Sequence, residues 1–121
     1  MSMTTGADVL SAANALAALV SAGSSVAGVV RPGLALPAGE PVTAGAHLYA
    51  RAYAARAVPL GAATAVAVWA DAAVAWPMLL VSGLAQVGDS AIGFRQRNLG
   101  MGFGAGAFAV LHLFSAWWVA R

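Results

Sequence analysis

Four long apolar stretches fill nearly all of this 121-residue chain, and that leaves few folds open to it. A bilayer core about 30 Å thick needs roughly 20 apolar residues per helix, so four crossings use up the length. Hydrophobic residues make up 61% and charged residues 8% of the chain, against about 25% charged in ordinary soluble domains. The competing architecture, a soluble Ala-rich bundle, needs polar residues at the outward b, c and f positions of a heptad, and these are missing. The pattern predicts one all-α domain over residues 1–121, an integral membrane four-helix transmembrane bundle.

The predicted helices cover about residues 7–30, 46–70, 76–94 and 99–120. Arg31-Pro32-Gly33 stops the first, and Pro32, Pro37 and Pro41 hold the link over residues 31–43 in extended or turn geometry. Asp71 marks a tight turn and is placed to cap the third helix, while Pro77 suits a first helical turn. Arg95-Gln96-Arg97-Asn98 forms the last, short polar loop. The first apolar run reads as retained rather than cleaved, since Met1 to Asp8 offers no basic n-region. With no Cys, disulfide frameworks and thiolate metal sites are excluded. The scattered arginines do not form a nucleic-acid surface.

Charge placement orients the bundle. Arg31, Arg51, Arg95 and Arg97 gather at the end bearing the first and third loops, whereas Arg121, Asp8 and Asp71 lie at the other. The positive-inside rule then predicts a multi-pass cell-membrane protein with cytoplasmic loops at residues 31–43 and 94–98 and both termini outside. Trp69, Trp76, Trp117 and Trp118 all fall on the side of the termini, as an interfacial aromatic belt does.

Ionisable residues inside such spans are costly, roughly 2.5–3.5 kcal/mol at mid-span on insertion scales, so they mark candidate sites. On helix 2, Tyr49, Tyr53 and Arg56 share one face, while His47 and Arg51 share the other and read as interfacial. Arg56 lies about nine residues in, roughly 14 Å along the predicted axis, and Pro59 frees the Ala55 carbonyl beside it. On helix 3, Ser82, Gln86, Asp89 and Gly93 recur at helical spacing as a polar stripe. Side chains lean toward their own helix N-terminus, so Arg56 and Asp89 approach each other from opposite directions and should pair. Helix 4 brings His112, with Phe108 and Ser115 on its face, and helix 1 brings Asn14, Ser21 and Ser25 on a small-residue face. Gly100, Gly102, Gly104 and Gly106 form two small-xxx-small pairs on helix 4, a candidate contact between copies of the chain in a homo-oligomer. No spacing of His and carboxylates suits a metal.

With these residues in view, the chain resembles the DUF4267 family of small four-helix membrane proteins. Arg31-Pro32 through Leu36-Pro37 is similar to that family's proline-containing segment after helix 1, and Arg56 through Leu60-Gly61 to its Arg-x-x-x-Leu-Gly element. Gly88-Asp89 looks like its Gly-Asp near the end of helix 3, and His112 falls where it places a helix 4 histidine. Many members carry an acidic residue directly after the Arg. Here Ala57 stands there, which turns attention to Asp89 as the Arg56 partner. The resemblance implies the fold and the polar positions, and no reaction.

Three functions compete. The first is a membrane-embedded enzyme of isomerase, cyclase or epoxide-opening type, acting without cofactor or metal on a lipophilic small molecule. It would use Asp89 and Arg56 as catalytic groups, with Tyr49, Tyr53, Gln86, His112 and Asn14 around the substrate. The second is an oligomeric transporter of ions or small molecules coupled through Asp89. The third is a non-catalytic membrane partner in which Arg56–Asp89 is only a clasp.

Overall fold

The structure, a computed structural model, describes residues 5–121. Four helices run up and down: α1 (Thr5–Val30), α2 (Ala44–Ala67), α3 (Ala72–Arg95) and α4 (Leu99–Ala120), with a short 3₁₀ helix, Pro32–Ala35, after α1. Their starts are chemically marked. Thr43 accepts a hydrogen bond from the Ala46 amide, Asp71 from Val74 and Asn98 from Met101, so each supplies a partner to one of the orphan N–H groups of a first turn. Asn98 also donates to the Leu34 carbonyl at 3.3 Å, tying the α3–α4 turn to the link after α1.

Two helix boundaries differ from the sequence expectation. α2 ends at Ala67 rather than 70, because Trp69 and Ala70 make tighter bonds to Val66 and Ala67 that close the turn. α3 begins at Ala72 rather than 76, because the Asp71 cap starts it before Pro77 is reached. Pro77 therefore lies inside the helix, where its ring removes a single hydrogen bond, the one the Ala73 carbonyl would accept.

Consecutive helices form two tightly knit hairpins, α1 with α2 and α3 with α4, which touch each other less. Small residues make the hairpins close. A Cβ added at Gly61 would sit 2.7 Å from the Ala18 carbonyl oxygen, and one at Gly93 would sit 2.5 Å from the Gly102 amide nitrogen. Gly102 and Gly106 of α4 are thus engaged against Phe94 and Ser90 of α3 within the chain. Of the four α4 glycines expected at a contact between copies, only Gly100 and Gly104 are left clear of such neighbours.

What is buried is the reverse of a soluble protein's interior. Among the described residues the apolar core is nearly all Ala, with Val68 and Leu79 the larger members, while Asn14, Ser25, Thr64, Ser82, Gln86, Asp89, His112 and Ser115 are buried. Large apolar side chains face outward, Val66 at 74% exposure and Phe103 at 68% among them. In water this surface would forfeit roughly 1.5–3 kcal/mol per large side chain left exposed; against lipid tails it costs nothing. Three helices, Gly6–Val30, Ala72–Arg95 and Leu99–Ala120, are long and apolar enough to cross a membrane. α2 matches them in length at 24 residues, but Arg51 and Arg56 leave it less apolar.

The close approach at Gly61 yields a prediction. Gly61→Val drives a side chain into the α1 backbone and should lower the unfolding midpoint in mild detergent by the equivalent of about 1–3 kcal/mol. Gly104→Val, with open space around it, should leave the midpoint within error.

Candidate functional site

The polar stripe of α3 meets a different partner at each rung. Thr64 donates its hydroxyl proton to the Leu60 carbonyl at 2.8 Å, so Ser82 is the donor in the 2.6 Å bond between the Ser82 and Thr64 hydroxyls. Gln86 reaches across the bundle and donates from Nε2 to Ser21 Oγ of α1 at 2.7 Å. Asp89, nearest the loop end, takes two donors from α2: Tyr53 Oη to Oδ2 at 3.0 Å and Arg56 Nη2 to Oδ1 at 3.4 Å. The antiparallel run of α2 and α3 explains the order, since moving back along α2 from Thr64 to Arg56 and Tyr53 moves forward along α3 from Ser82 to Asp89.

The Arg56–Asp89 pair forms, but not as a clasp buried on both sides. The Asp89 side chain is 9% exposed and that of Arg56 61%. At 3.4 Å and with one nitrogen engaged, the contact is well short of a bidentate pair at about 2.7–2.9 Å. The carboxylate is inside, and the guanidinium sits on the rim, 5.6 Å above the Tyr53 ring. Four of its five N–H donors have no protein acceptor among the described residues. Tyr49 stacks on Tyr53 with ring centroids 6.1 Å apart and extends the rim outward. Asp89 is therefore oriented chiefly by Tyr53, a role the sequence left to Arg56.

Farther along the bundle, Asn14 organises a second set. Its Nδ2 donates to the Leu10 carbonyl at 2.8 Å and to Ser115 Oγ at 2.7 Å, and its Oδ1 lies 2.7 Å from His112 Nδ1. A backbone carbonyl only accepts, so the amide must face Leu10 with its nitrogen, and its oxygen is left for the histidine. His112 Nδ1 must then carry a proton, and in the neutral ring the lone pair is on Nε2. Burial of Asn14 at 1% and His112 at 1% fixes both.

A small, partly open cavity lies between the two sets, with Ala18, Leu60 and Ala85 in its walls beside the polar residues. Tyr53, Arg56, Ser82, Gln86, Asp89 and His112 line a space of about 30 Å³, room for about two waters. Of the residues singled out from sequence, Tyr53, Arg56, Gln86, Asp89 and His112 converge on it. Tyr49 reaches it only through Tyr53, and Asn14 lies behind His112. His47 and Arg51 stay exposed and away from it. Thr64 and the role of Ser21 as the Gln86 partner were missed. Thr64 falls on the Arg56 face one and two turns on, past Leu60, so the helical repeat carried that signal. Among the described residues no three His, Cys, Asp or Glu side chains converge where a metal could sit. No protein-family model, curated protein or solved structure matches the chain. The arrangement offers one buried carboxylate, one imidazole nitrogen and a half-free guanidinium around a space that admits a small polar group.

The Asn14 lock is testable. In ¹⁵N NMR of His-labelled protein, neutral His112 should appear as the Nδ1–H form. Asn14→Leu should mix the two tautomers and cost about 1–3 kcal/mol, the range for a buried donor left unpaired, measured by unfolding in detergent.

Proposed function

We propose that the chain is an integral membrane protein whose four helices all cross the bilayer, and that it is an enzyme moving protons on a lipophilic molecule. The outward apolar surface and the buried polar interior support the first part. The orientation we favour keeps Arg31, Arg95 and Arg97 on the cytoplasmic side, with the exposed Trp69, Trp76, Trp117 and Trp118 at the opposite interface. The likeness to the DUF4267 family fits this topology.

The observation carrying the enzymatic reading is that Asp89 and a half-free Arg56 border one cavity beside the seam between the two hairpins. The cavity is too small to enclose a lipophilic substrate. Only the reacting polar end enters, while the apolar body stays along the seam between α2 and α3, past Tyr49. Arg56 N–H groups hold a carbonyl oxygen, and the Asp89 carboxylate takes a proton from the neighbouring carbon. As the C–H bond breaks, the electron pair moves onto the oxygen, where the guanidinium stabilises the growing charge. Asp89 returns the proton at a second carbon and the double bond shifts, an isomerisation with no net redox change. Gln86 Oε1 and His112 Nε2 orient the polar end from the far wall.

The test uses the protein in lipid nanodiscs in D₂O with a panel of lipophilic β,γ-unsaturated ketones, read by mass spectrometry. The native chain should incorporate deuterium and shift the double bond. Asp89→Asn should slow this by about 10²–10⁴-fold, the usual contribution of a positioned acid–base group, and Arg56→Leu should raise the barrier while leaving binding along the seam. Equal turnover by Asp89→Asn and the native chain refutes the reading.

One observation favours a second reading, a proton or cation pathway. Asp89, Gln86 and His112 border one cavity, and His112 is hydrogen-bonded onward to Asn14 and through it to Ser115. Proton flux into vesicles that depends on Asp89, with no deuterium exchange on any ketone, would select it.

A further inference from the structure

The end of the bundle that carries the first and third loops is strongly basic, and its charges are unspent. Arg31, Arg51, Arg95 and Arg97 are exposed there, with Glu40 the one acidic residue at that end. Asp8 and Asp71 lie at the opposite end, and Asp89 is committed to Tyr53 and Arg56. Among the described residues Arg56 is the one arginine paired with a carboxylate and the one whose side chain donates a hydrogen bond. The four at the loop end therefore keep their donors for something outside the chain. Arg121, at the other end, is instead stacked 4.0 Å above the Trp118 ring.

Two loops, far apart in sequence, meet at this end. Asn98 Nδ2 donates to the Leu34 carbonyl at 3.3 Å, and the Leu34 amide donates to the Arg31 carbonyl at 3.0 Å. Arg31 from the first link and Arg95 and Arg97 from the α3–α4 turn thus belong to one joint. The outward apolar band ends at the same place. Leu34, Phe94 and Leu99 are exposed beside the arginines, and Phe94 meets Phe103 edge-on with ring centroids 5.0 Å apart. In a bilayer this puts Leu34, Phe94 and Leu99 at the acyl boundary and the guanidinium groups among the headgroups. Cations bordering an apolar band suit an amphiphile, whose phosphate and tails meet both at once. A soluble anion would use only the first.

We propose that this joint is a docking site for the headgroup of an anionic phospholipid, held by Arg31, Arg95 and Arg97. A guanidinium is planar and donates parallel N–H groups to phosphate oxygens, while the acyl chains pass beside Leu34 and Phe94. A zwitterionic lipid offers the same phosphate together with a cation that the arginines repel, and phosphatidylglycerol offers it without one. Arg51, two turns into α2, adds to the attracting field. The lipid draws this end of the chain to a leaflet rich in anionic headgroups, and it braces the first link against the α3–α4 turn, since both supply arginines to it. The site rests on the membrane-spanning reading and is independent of the proton-transfer one.

The full chain in a mild neutral detergent is titrated with dioleoylphosphatidylglycerol or dioleoylphosphatidylcholine, and the first lipid bound is quantified by native mass spectrometry. An arginine near a charged membrane surface is worth roughly fivefold in affinity, so the native chain should hold phosphatidylglycerol at least about tenfold more tightly than phosphatidylcholine. The combined Arg31→Gln, Arg95→Gln and Arg97→Gln variant should bring the two lipids within about twofold of each other, and Arg121→Gln should leave the preference as it was. These side chains are exposed and unpaired, so the substitutions spare the fold. Equal affinity of the native chain for the two lipids overturns the proposal, and so does an undiminished preference in the triple variant. The membrane reading is checked apart, by resistance of vesicle-inserted chain to alkaline extraction. A chain that stays inserted and shows no lipid preference loses only the docking site.

Discussion

The structure depends on one constraint: a polar group placed among apolar helices must find its partner within the protein, on a carbonyl of its own helix or on another helix, because neither water nor lipid supplies one. Ser25 takes the first course, on the Ala22 carbonyl, and the second ties the bundle together. Ser82 meets Thr64, Gln86 meets Ser21, Asp89 meets Tyr53 and Arg56, and Asn14 meets His112 and Ser115. Apolar contact alone would not fix the register of helices whose buried faces are mostly Ala, since such faces slide with little change in packing. Donor–acceptor pairs are directional, and a slip of one residue breaks several at once. The polar residues therefore specify the bundle as well as furnish its site.

The same constraint separates two kinds of charge. Asp89 has a short side chain and must be satisfied where it stands, so it draws Tyr53 and Arg56 toward the interior. Arg56 has a long apolar stem and keeps its head at the rim. The result is an asymmetric pair in which the carboxylate is held and the guanidinium retains spare donors. A symmetric, fully buried clasp would have satisfied both groups and left neither available to a third.

Much of this was legible in the sequence. The helix count, the stripe of Ser82, Gln86 and Asp89, and the meeting of Arg56 with Asp89 follow from periodicity and the lean of helical side chains. Less legible was where helices begin. Asp71 and Pro77 both signal a start, and only the structure shows the side-chain cap prevailing. The hydrogen-bond partners of Asn14 were also hidden, because α1 and α4 lie at opposite ends of the chain and nothing local links residue 14 to residue 112. Small-residue spacing on α4 announced close contact without saying whose. Half of it is answered by α3, since Gly102 and Gly106 face Phe94 and Ser90, which a pattern of glycines alone cannot distinguish from contact with another copy. The size of the cavity was invisible altogether, being set by how the hairpins splay.

The hairpins themselves carry a consequence for motion. Each is interlocked by backbone-to-backbone approach, at Gly61 against Ala18 and at Gly93 against Gly102, and so resists shear. Between them run mainly side-chain bonds, and one short covalent joint over residues 68–71. Rocking of one pair of rods on the other about that joint is therefore the displacement that disturbs the fewest close backbone contacts. Such rocking would widen the Tyr49–Arg56 seam most, where leverage is greatest and the exposed Asn98–Leu34 bond must yield, while Ser11 and Val68 near the pivot stay in touch.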